Sequence, residues 1–453
     1  MPPTGFRCAT LRVPLDHARP SGEKIDIALI KVPATDRRHR IGSLVFNFGG
    51  PGGEGVGTLA RAAGEYAELG ARYDLVGFDP RGVGRSAPVT CAGPRRMDEI
   101  AARDDSPDTA AEEKTYIDGR ADYVRQCQAR SGRLLPHVGT LNAARDLDLI
   151  RDALGEERLH YFGISYGTWL GGAYAHRFPG RVGRAVLDGA VDTGLGGKDL
   201  ALQQTAAFQR ALGDFGAACA RLGRRSCPLG TDGPSVVRSV GRLLAGLDRT
   251  PLPTSGGRRL TQSLGTTGVA AALYSRDAWP YLAQGLVDAA ERRDGSLLLM
   301  LADVQNGRRE DGTYTNLSAA NTAITCADGT DRYTPSDVRS LLPAFRDASP
   351  IFGAAMAWGL LHCTGWPVKG DDAAREVSAP SAAPILVVGN TGDPATPYAW
   401  APALTRALGG RATLLTLKGQ GHGAYDTGHP CVRGTVHAYL LDGTVPPAGT
   451  TCG

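Results

Sequence analysis

The sequence predicts an α/β fold in which a mostly parallel, doubly wound sheet is interrupted by an inserted, mainly helical segment. Three observations support this prediction. Short apolar runs alternate with amphipathic segments over residues 43–187, which is the pattern of parallel strands joined by helices. The alternation returns over residues 384–417, after a long stretch rich in Ala, Leu and Arg. The chain of 453 residues is also longer than one compact core requires.

The first elements are predicted to be strands. Residues 10–13 and 25–30 form two short runs, and the second alternates polar and apolar side chains with period two. Residues 43–48 and 73–79 are apolar runs that lead into glycine-containing turns. A polar, charged stretch over about 95–135 is predicted to be helical.

Helix and strand signals then alternate. Residues 140–154 place apolar side chains on one helical face and are followed by Gly155, a common helix stop. A strand at 160–162 leads into a tight turn, a helix is predicted at 168–178, and another strand at 182–187. Together these elements predict the first part of the doubly wound sheet.

The chain is predicted to divide into three parts. Residues 1–191 form the N-terminal part of the α/β core, and residues 192–375, where strand-like runs vanish, form a helical cap over the sheet. Residues 376–453 form the C-terminal part of the core. This last part is expected to contain strands at 384–389 and 412–417 and a closing helix at about 431–441.

Composition and charge exclude several classes of protein. Apolar residues make up 42% and charged residues 21% of the chain, an ordinary globular composition. The formal net charge is only +4, so we expect no nucleic-acid partner. The chain contains no run of about 18 apolar residues, so no membrane span is predicted. No CxxC pair or Walker Lys-Ser/Thr is present, so no metal and no other cofactor is predicted.

The cysteines indicate disulfides and therefore a compartment. From Cys91 onward they can pair in sequence order, each pair closing a modest loop, which leaves Cys8 over. Scattered buried thiols are the alternative. Disulfides favour an oxidising environment, so we expect an extracellular protein. The stretch Met1–Cys8 has no basic-then-apolar signal peptide, which keeps a cytoplasmic protein open.

A candidate nucleophile lies at the turn after the strand at 160–162. Gly163-Ile164-Ser165-Tyr166-Gly167 has the pattern G-x-S-x-G between a strand and a helix. A serine hydroxyl needs a base to accept its proton and a sharp turn to lift it clear of the sheet. This setting is the signature of the α/β-hydrolase fold, so we predict that Ser165 is the nucleophile of a serine hydrolase.

The matching acid and base are expected after later strands, in the order Ser, Asp, His. Asp393 follows the strand ending at Gly389, and His422 follows the strand ending at Leu417. We predict that His422 is the general base and that Asp393 orients it. The competing residues lie away from such strand ends: Asp426, His429, His160 and His176.

The oxyanion of a tetrahedral intermediate needs two backbone N–H donors, each typically contributing about 3 kcal/mol to barrier lowering. The N–H of Tyr166, directly after the nucleophile, is one expected donor. The other is expected from the glycine-rich loop 49–53, and we predict Gly50.

Four motifs resemble the tripeptidyl aminopeptidase family of actinobacteria, which is akin to the proline iminopeptidases. The motifs span residues 47–53, 77–86, 163–168 and 392–397, and segments 323–328 and 363–367 are similar to the family's cap and post-cap motifs. The resemblance runs over almost the whole chain. It implies an exopeptidase that removes short peptides or single residues from a free N-terminus and that is commonly exported.

Two positions depart from the family pattern, and both lie near the oxyanion loop. Phe48 stands where a proline is usual, and Glu54 replaces a small residue. Binding a free N-terminus requires a carboxylate that meets the ammonium group. The candidates for this substrate-binding role are Asp328, in the cap motif, and Glu54.

Three functions follow from these residues. The first is an aminopeptidase that forms an acyl-enzyme on Ser165 and releases tripeptidyl-type peptides or single residues. The second is an esterase, thioesterase or amidase that acts on a small metabolite with the same triad. The third is a non-catalytic binding protein, which the intact Ser165, Asp393 and His422 set argues against. The expected partner is therefore a peptide or small-molecule substrate.

Overall fold

The main feature of the protein, in a computed structural model that describes residues 5–223 and 227–453, is a nine-stranded sheet. The strands of the described chain are β1 (Arg7–Pro14), β2 (Lys24–Val32), β3 (Gly42–Asn47), β4 (Tyr73–Phe78), β5 (Leu159–Ile164), β6 (Val182–Asp188), β7 (Leu252–Pro253), β8 (Arg259–Leu260), β9 (Ile385–Gly392), β10 (Ala412–Gln420) and β11 (Thr451–Cys452). The large sheet has the order β1-β2-β4-β3-β5-β6-β9-β10-β11. Antiparallel pairing is confined to β1, β2 and β4, and the remaining neighbours are parallel.

Helices cover the sheet and fill the long connection between β6 and β9. They are α1 (Gly55–Ala62), α2 (Leu69–Arg72), α3 (Pro94–Ala102), α4 (Ala110–Ser131), α5 (Thr140–Ala153), α6 (Tyr166–Arg177), α7 (Gly197–Arg221), α8 (Gly233–Arg249), α9 (Gln262–Leu273), α10 (Trp279–Val287), α11 (Ser296–Gln305), α12 (Leu317–Asp328), α13 (Pro335–Ala348), α14 (Gly353–Gly359), α15 (Trp400–Leu408) and α16 (Pro430–His437). None of the helices in the described ranges is long and apolar enough to cross a bilayer.

Both faces of the sheet are buried, as parallel sheets require. In β3, Val45 packs into one hydrophobic cluster, whereas Leu44 and Phe46 pack into another. This division follows from the strand geometry, because successive side chains point to opposite faces. The predicted α/β-hydrolase fold, with a doubly wound, mostly parallel sheet and a helical insertion, is therefore confirmed.

The insertion has a hydrophobic cluster of its own, which includes Leu212, Phe215, Leu264 and Leu286. Trp279 is buried in this cluster, with its ring edge-on to Phe215 at 5.9 Å between centroids. The expectation that strand-like runs vanish here is wrong in one detail, because β7 and β8 form a small antiparallel hairpin. Strands of two residues are too short to show a period in the sequence.

Four disulfides pair the cysteines in the order predicted from the sequence. They join Cys91 to Cys127, Cys219 to Cys227, Cys326 to Cys363 and Cys431 to Cys452. Cys8 is exposed and not disulfide-bonded. The helix expected to close the chain does not do so, because β11 follows it and pairs with β10. The disulfide between Cys431 and Cys452 holds this short strand to the start of α16.

Candidate active site

Ser165 stands at the sharp turn between β5 and α6. Its backbone has φ 58° and ψ −123°, a left-handed conformation that a non-glycine residue adopts only under constraint. The flanking glycines make the turn possible. A Cβ at Gly163 would lie 2.3 Å from the Gly167 carbonyl oxygen, and one at Gly167 would lie 2.6 Å from the Asn47 carbonyl oxygen. The strand and helix can therefore approach each other only where side chains are missing.

A cavity of about 350 Å³ lies beside Ser165. Its lining brings together four of the residues singled out from the sequence: Ser165, Gly50, Tyr166 and Asp328. The cavity lies at the carboxyl ends of the parallel strands, where α/β sheets place their ligands. Residues from both the core and the insertion line it, so the inserted helices complete the binding surface.

Asp393 and His422 are hydrogen-bonded to each other. His422 Nδ1 lies 3.0 Å from each of the two carboxylate oxygens of Asp393. The backbone N–H groups of Ala395, Thr396 and Gly423 each donate to this carboxylate at 2.8 Å. These donors fix the orientation of the Asp393 side chain, which holds the imidazole with Nδ1 protonated and leaves Nε2 as the acceptor.

The pKa of His422 reflects two opposing effects. Burial opposes the charged imidazolium, but the Asp393 carboxylate, with smaller contributions from Asp188 and Asp426, raises the pKa of His422 above its ordinary value. A base with a raised pKa takes a proton from serine more readily at neutral pH, provided that it starts neutral.

Ser165 and His422 both lie close to the end of β6. Ser165 N–H donates to the Asp188 carbonyl at 2.9 Å. A Cβ at the next residue, Gly189, would lie 3.3 Å from His422 Cε1. The Ser165 hydroxyl is not hydrogen-bonded to His422 within residues 5–223 and 227–453. Such catalytic hydrogen bonds are often long without substrate and tighten when it binds.

The two expected oxyanion donors face the cavity. Gly49 and Gly50 have φ of 86° and 112°, and a Cβ at Gly49 would lie 2.9 Å from Ser165 Cβ. The glycine loop therefore packs directly on Ser165. Tyr166 is the first residue of α6, whose N–H has no intrahelical acceptor. Neither the Gly50 nor the Tyr166 N–H has a hydrogen-bond acceptor in the described part of the chain.

Asp328 is the last residue of α12 and lines the cavity. Its Oδ1 accepts from Thr140 N–H and its Oδ2 from the Thr140 hydroxyl, each at 2.6 Å. The Thr140 hydroxyl in turn lies 2.5 Å from the Tyr166 hydroxyl. Burial raises the pKa of Asp328 to about 7. A buried carboxyl that can accept further hydrogen bonds is stabilised most by a positively charged ligand.

Glu54 lies outside the lining of this cavity. It precedes α1 and forms an ion pair with Arg309 at 3.6 Å. Asp79 and Arg81 are close in sequence, but no ion pair joins them in the described residues. Arg81 is paired with Asp146 at 2.6 Å, and Asp79 accepts from Val56 N–H. Asp146 lies in α5, far from Arg81 in the sequence, so the sequence alone could not reveal this ion pair.

Several lining residues escaped the sequence reasoning. Trp169 follows Ser165 by one helical turn, so helical spacing could have placed it beside the nucleophile. Trp400, His362 and Tyr274 also line the cavity, but no local motif marks them. Tyr274 has the most direct effect on His422. Its backbone carbonyl accepts the backbone N–H of His422 at 2.8 Å, and its ring packs edge-on to the imidazole.

Ser165 stands at a strained elbow beside the cavity, His422 is bound to a carboxylate close to the same strand end, and two N–H groups of the cavity lining lack an acceptor in the described residues. These are the features of a serine hydrolase of the α/β-hydrolase fold. Comparisons with known proteins agree. Residues 349–452 match the family described as TAP-like protein. The chain belongs to this TAP-like family of α/β-hydrolases.

Three relatives match over nearly the full chain. The serine protease Hip1 of Mycobacterium tuberculosis is 38% identical over 99% of this chain and 88% of its own. Carboxylesterase B of the same species is 38% identical over 98% of this chain and 86% of its own. The tripeptidyl aminopeptidase of Streptomyces lividans is 33% identical over 99% of this chain and 84% of its own.

Hydrolysis of a simple p-nitrophenyl ester is expected to fall in acid, because only a neutral His422 can accept the serine proton. Since the pKa of His422 is raised, the midpoint of this fall is expected above the ordinary histidine value of about 6.5. A pH profile of kcat/KM measures it. A rate that stays constant between about pH 5 and 8 would contradict the role of His422.

Proposed function

We propose that this protein is an aminopeptidase that releases short peptides from free N-termini through an acyl-enzyme on Ser165. In this proposal His422 is the general base, Asp393 orients it, and the N–H groups of Gly50 and Tyr166 bind the oxyanion. The observation that carries the proposal is the buried carboxyl of Asp328 in the same cavity as Ser165.

A substrate ammonium group is the natural partner of this carboxyl. Asp328 is only 3% exposed, and its two hydrogen bonds to Thr140 leave further lone pairs. Ion pairing with the ammonium of an N-terminus would offset the cost of keeping the carboxylate buried. A blocked N-terminus would lack that charge, so the cavity would discriminate between free and blocked amines.

We propose that the released group is a peptide rather than a single residue. The Asp328 carboxyl is joined to the elbow through the Thr140 hydroxyl and the Tyr166 side chain, with successive contacts of 2.6 Å and 2.5 Å. One extended residue spans only about 3.5 Å, so this placement leaves room for a chain of more than one residue between an ammonium at Asp328 and a scissile carbonyl at Ser165.

The chemistry follows from this placement. His422 Nε2 takes the proton as Ser165 Oγ attacks the scissile carbonyl carbon, and the carbonyl electron pair moves to oxygen, which the two N–H groups bind. The intermediate collapses as the imidazolium protonates the leaving amine. His422 Nε2 then takes a proton from water as the water oxygen attacks the acyl carbon, and the bond to Ser165 Oγ breaks as the imidazolium returns that proton to Oγ, which releases the acid of the peptide bound at Asp328.

An esterase or amidase acting on a small metabolite is the second candidate. Apolar side chains, including Trp169, Leu200 and Trp400, make up much of the cavity lining, and such a surface suits an uncharged acyl group. One relative at 38% identity is named a carboxylesterase, whereas another is named a tripeptidyl aminopeptidase. The amine dependence of cleavage separates the two candidates.

Asp328→Asn is expected to lower kcat/KM about 10- to 100-fold for tripeptidyl p-nitroanilides with a free amine, because it removes the charge that pairs with the ammonium. The amide keeps both contacts with Thr140 available. Hydrolysis of a p-nitrophenyl ester, which has no amine, is expected to stay near the wild-type rate. Steady-state kinetics on free-amine, acetylated and ester substrates measure all three.

Two other variants sharpen this test. Asp105→Asn changes a half-buried carboxyl, bonded to Ser263 away from the cavity, and is expected to leave the amine preference intact. Glu54→Gln examines the other carboxylate predicted from the sequence. Loss of amine preference in Glu54→Gln but not in Asp328→Asn would refute the role of Asp328. Equal cleavage of free and blocked substrates by the wild type would refute the aminopeptidase.

We also propose that residues 192–375 act as a cap over a core made of residues 1–191 and 376–453, and that the protein works outside the cell. The separate hydrophobic cluster of the insertion supports the first proposal. The four disulfides support the second, because such bonds persist in oxidising surroundings.

A further inference from the structure

Asp188, the last residue of β6, is in contact with both halves of the candidate catalytic apparatus. Its backbone carbonyl accepts the N–H of Ser165 at 2.9 Å. Its carboxylate accepts the N–H of Ala424 at 2.9 Å and that of Tyr425 at 2.8 Å, just beyond His422. One buried residue, only 1% exposed, therefore links the nucleophile elbow to the loop that bears the base.

The base loop is held from other sides as well. Asn390 donates to the carbonyls of Gly421 and Gly423 at 2.8 and 2.9 Å, and Asp393 accepts from Gly423 N–H. These contacts come from the end of β9 and from the residue after it, and they fix His422 relative to Asp393. Asp188 differs from them, because its contacts fix the loop relative to Ser165.

We propose that Asp188 is a positioning residue that keeps the His422 loop in register with Ser165. The imidazole must reach the serine hydroxyl within hydrogen-bond distance, and a shift of about 1 Å can cost about 100-fold in rate. A carboxylate can accept several N–H bonds at once and can tie consecutive residues of a loop. The proposal concerns any substrate and does not depend on the aminopeptidase.

The charge of Asp188 also acts on the base. Burial raises the pKa of Asp188 to about 7, against the backbone N–H groups that lower it. The titratable groups near His422 are Asp393, Asp188, Asp426 and Tyr274, and those near Asp188 are His422 and Asp426. A negative charge beside the imidazole stabilises the imidazolium, so removing it lowers the pKa of His422.

Asp188→Asn is the direct test. The amide nitrogen cannot accept an N–H, so one contact with Ala424 or Tyr425 is lost. We expect kcat for p-nitrophenyl acetate to fall at least about tenfold, with KM changed less. We also expect the acid limb of the kcat profile to shift to lower pH, because the nearby negative charge is gone. Both effects are measured at a temperature where the variant is folded by circular dichroism.

Asp79→Asn is the matched control. Asp79 is also a buried carboxyl directly after a strand, and it accepts the N–H groups of Val56 and Arg85, each at 2.9 Å. Its loss is expected to reduce thermal stability without moving the acid limb. If Asp188→Asn does not fold, Asp188→Ser, which removes the charge and keeps one acceptor, takes its place. Reduced stability with wild-type kcat and acid limb in the folded Asp188 variant would overturn the proposal.

Discussion

Replacing Ser165 with alanine is expected to lower kcat by about a million-fold, to the level left by binding and the oxyanion donors alone. The substitution removes only the hydroxyl group, and the left-handed backbone of residue 165 tolerates alanine as well as it tolerates serine. The fold is therefore expected to survive. Turnover of a p-nitrophenyl ester and covalent labelling by a fluorophosphonate measure the effect.

The control is Ser43→Ala, which removes a buried serine hydroxyl in β3 that contacts Arg40. This variant is expected to keep its labelling and turnover. Near-native turnover by Ser165→Ala, at a melting temperature close to that of the wild type, would show that another residue is the nucleophile.

Asp393→Asn is expected to lower kcat by about 10⁴-fold, with a small change in KM. The amide can place its N–H₂ against His422 Nδ1 and so favour the tautomer that has a proton on Nε2, which cannot accept from serine. With the amide oxygen at the Oδ1 position, the backbone N–H groups of Ala395 and Thr396 still hold the side chain in place. Kinetics over a pH series measure the loss.

Asp426→Asn provides the comparison. Asp426 is close enough to influence His422 electrostatically, but its carboxylate accepts from the Tyr66 hydroxyl at 3.0 Å. Its loss is expected to have a much smaller effect on kcat. Equal losses in the two variants would mean that general electrostatics, rather than the orienting bond of Asp393, supports the base.

Periodicity and motif spacing were enough for the core of the fold. The strands around Val45 and Val76 are apolar runs with clear ends, and in a parallel sheet their carboxyl ends share one edge. That topology explains why Asp393 and His422, far apart in sequence from Ser165, could be assigned to one site. The order of the cysteines similarly anticipated the disulfides, because each closes a short stretch of chain.

The features that the sequence did not show depend on packing between distant segments. Arg81 pairs with Asp146 and not with Asp79, because its guanidinium is also held by the carbonyls of Leu15 and His137. The carboxyls of Asp328 and Glu54 were equivalent candidates in the sequence. The structure distinguishes Asp328 from Glu54 because α12 packs against Thr140. The residue pattern within a single segment does not show this contact between distant segments.

The hydrogen bond from the backbone N–H of His422 to the backbone carbonyl of Tyr274 limits how the hydrolase can be engineered. Grafting the helical segment of a relative onto this core would leave that amide without its acceptor unless the donor segment supplied a carbonyl at the same point. A buried amide left unpaired costs roughly 1–3 kcal/mol. Successful chimaeras should therefore keep the turn after α9 from the parent enzyme.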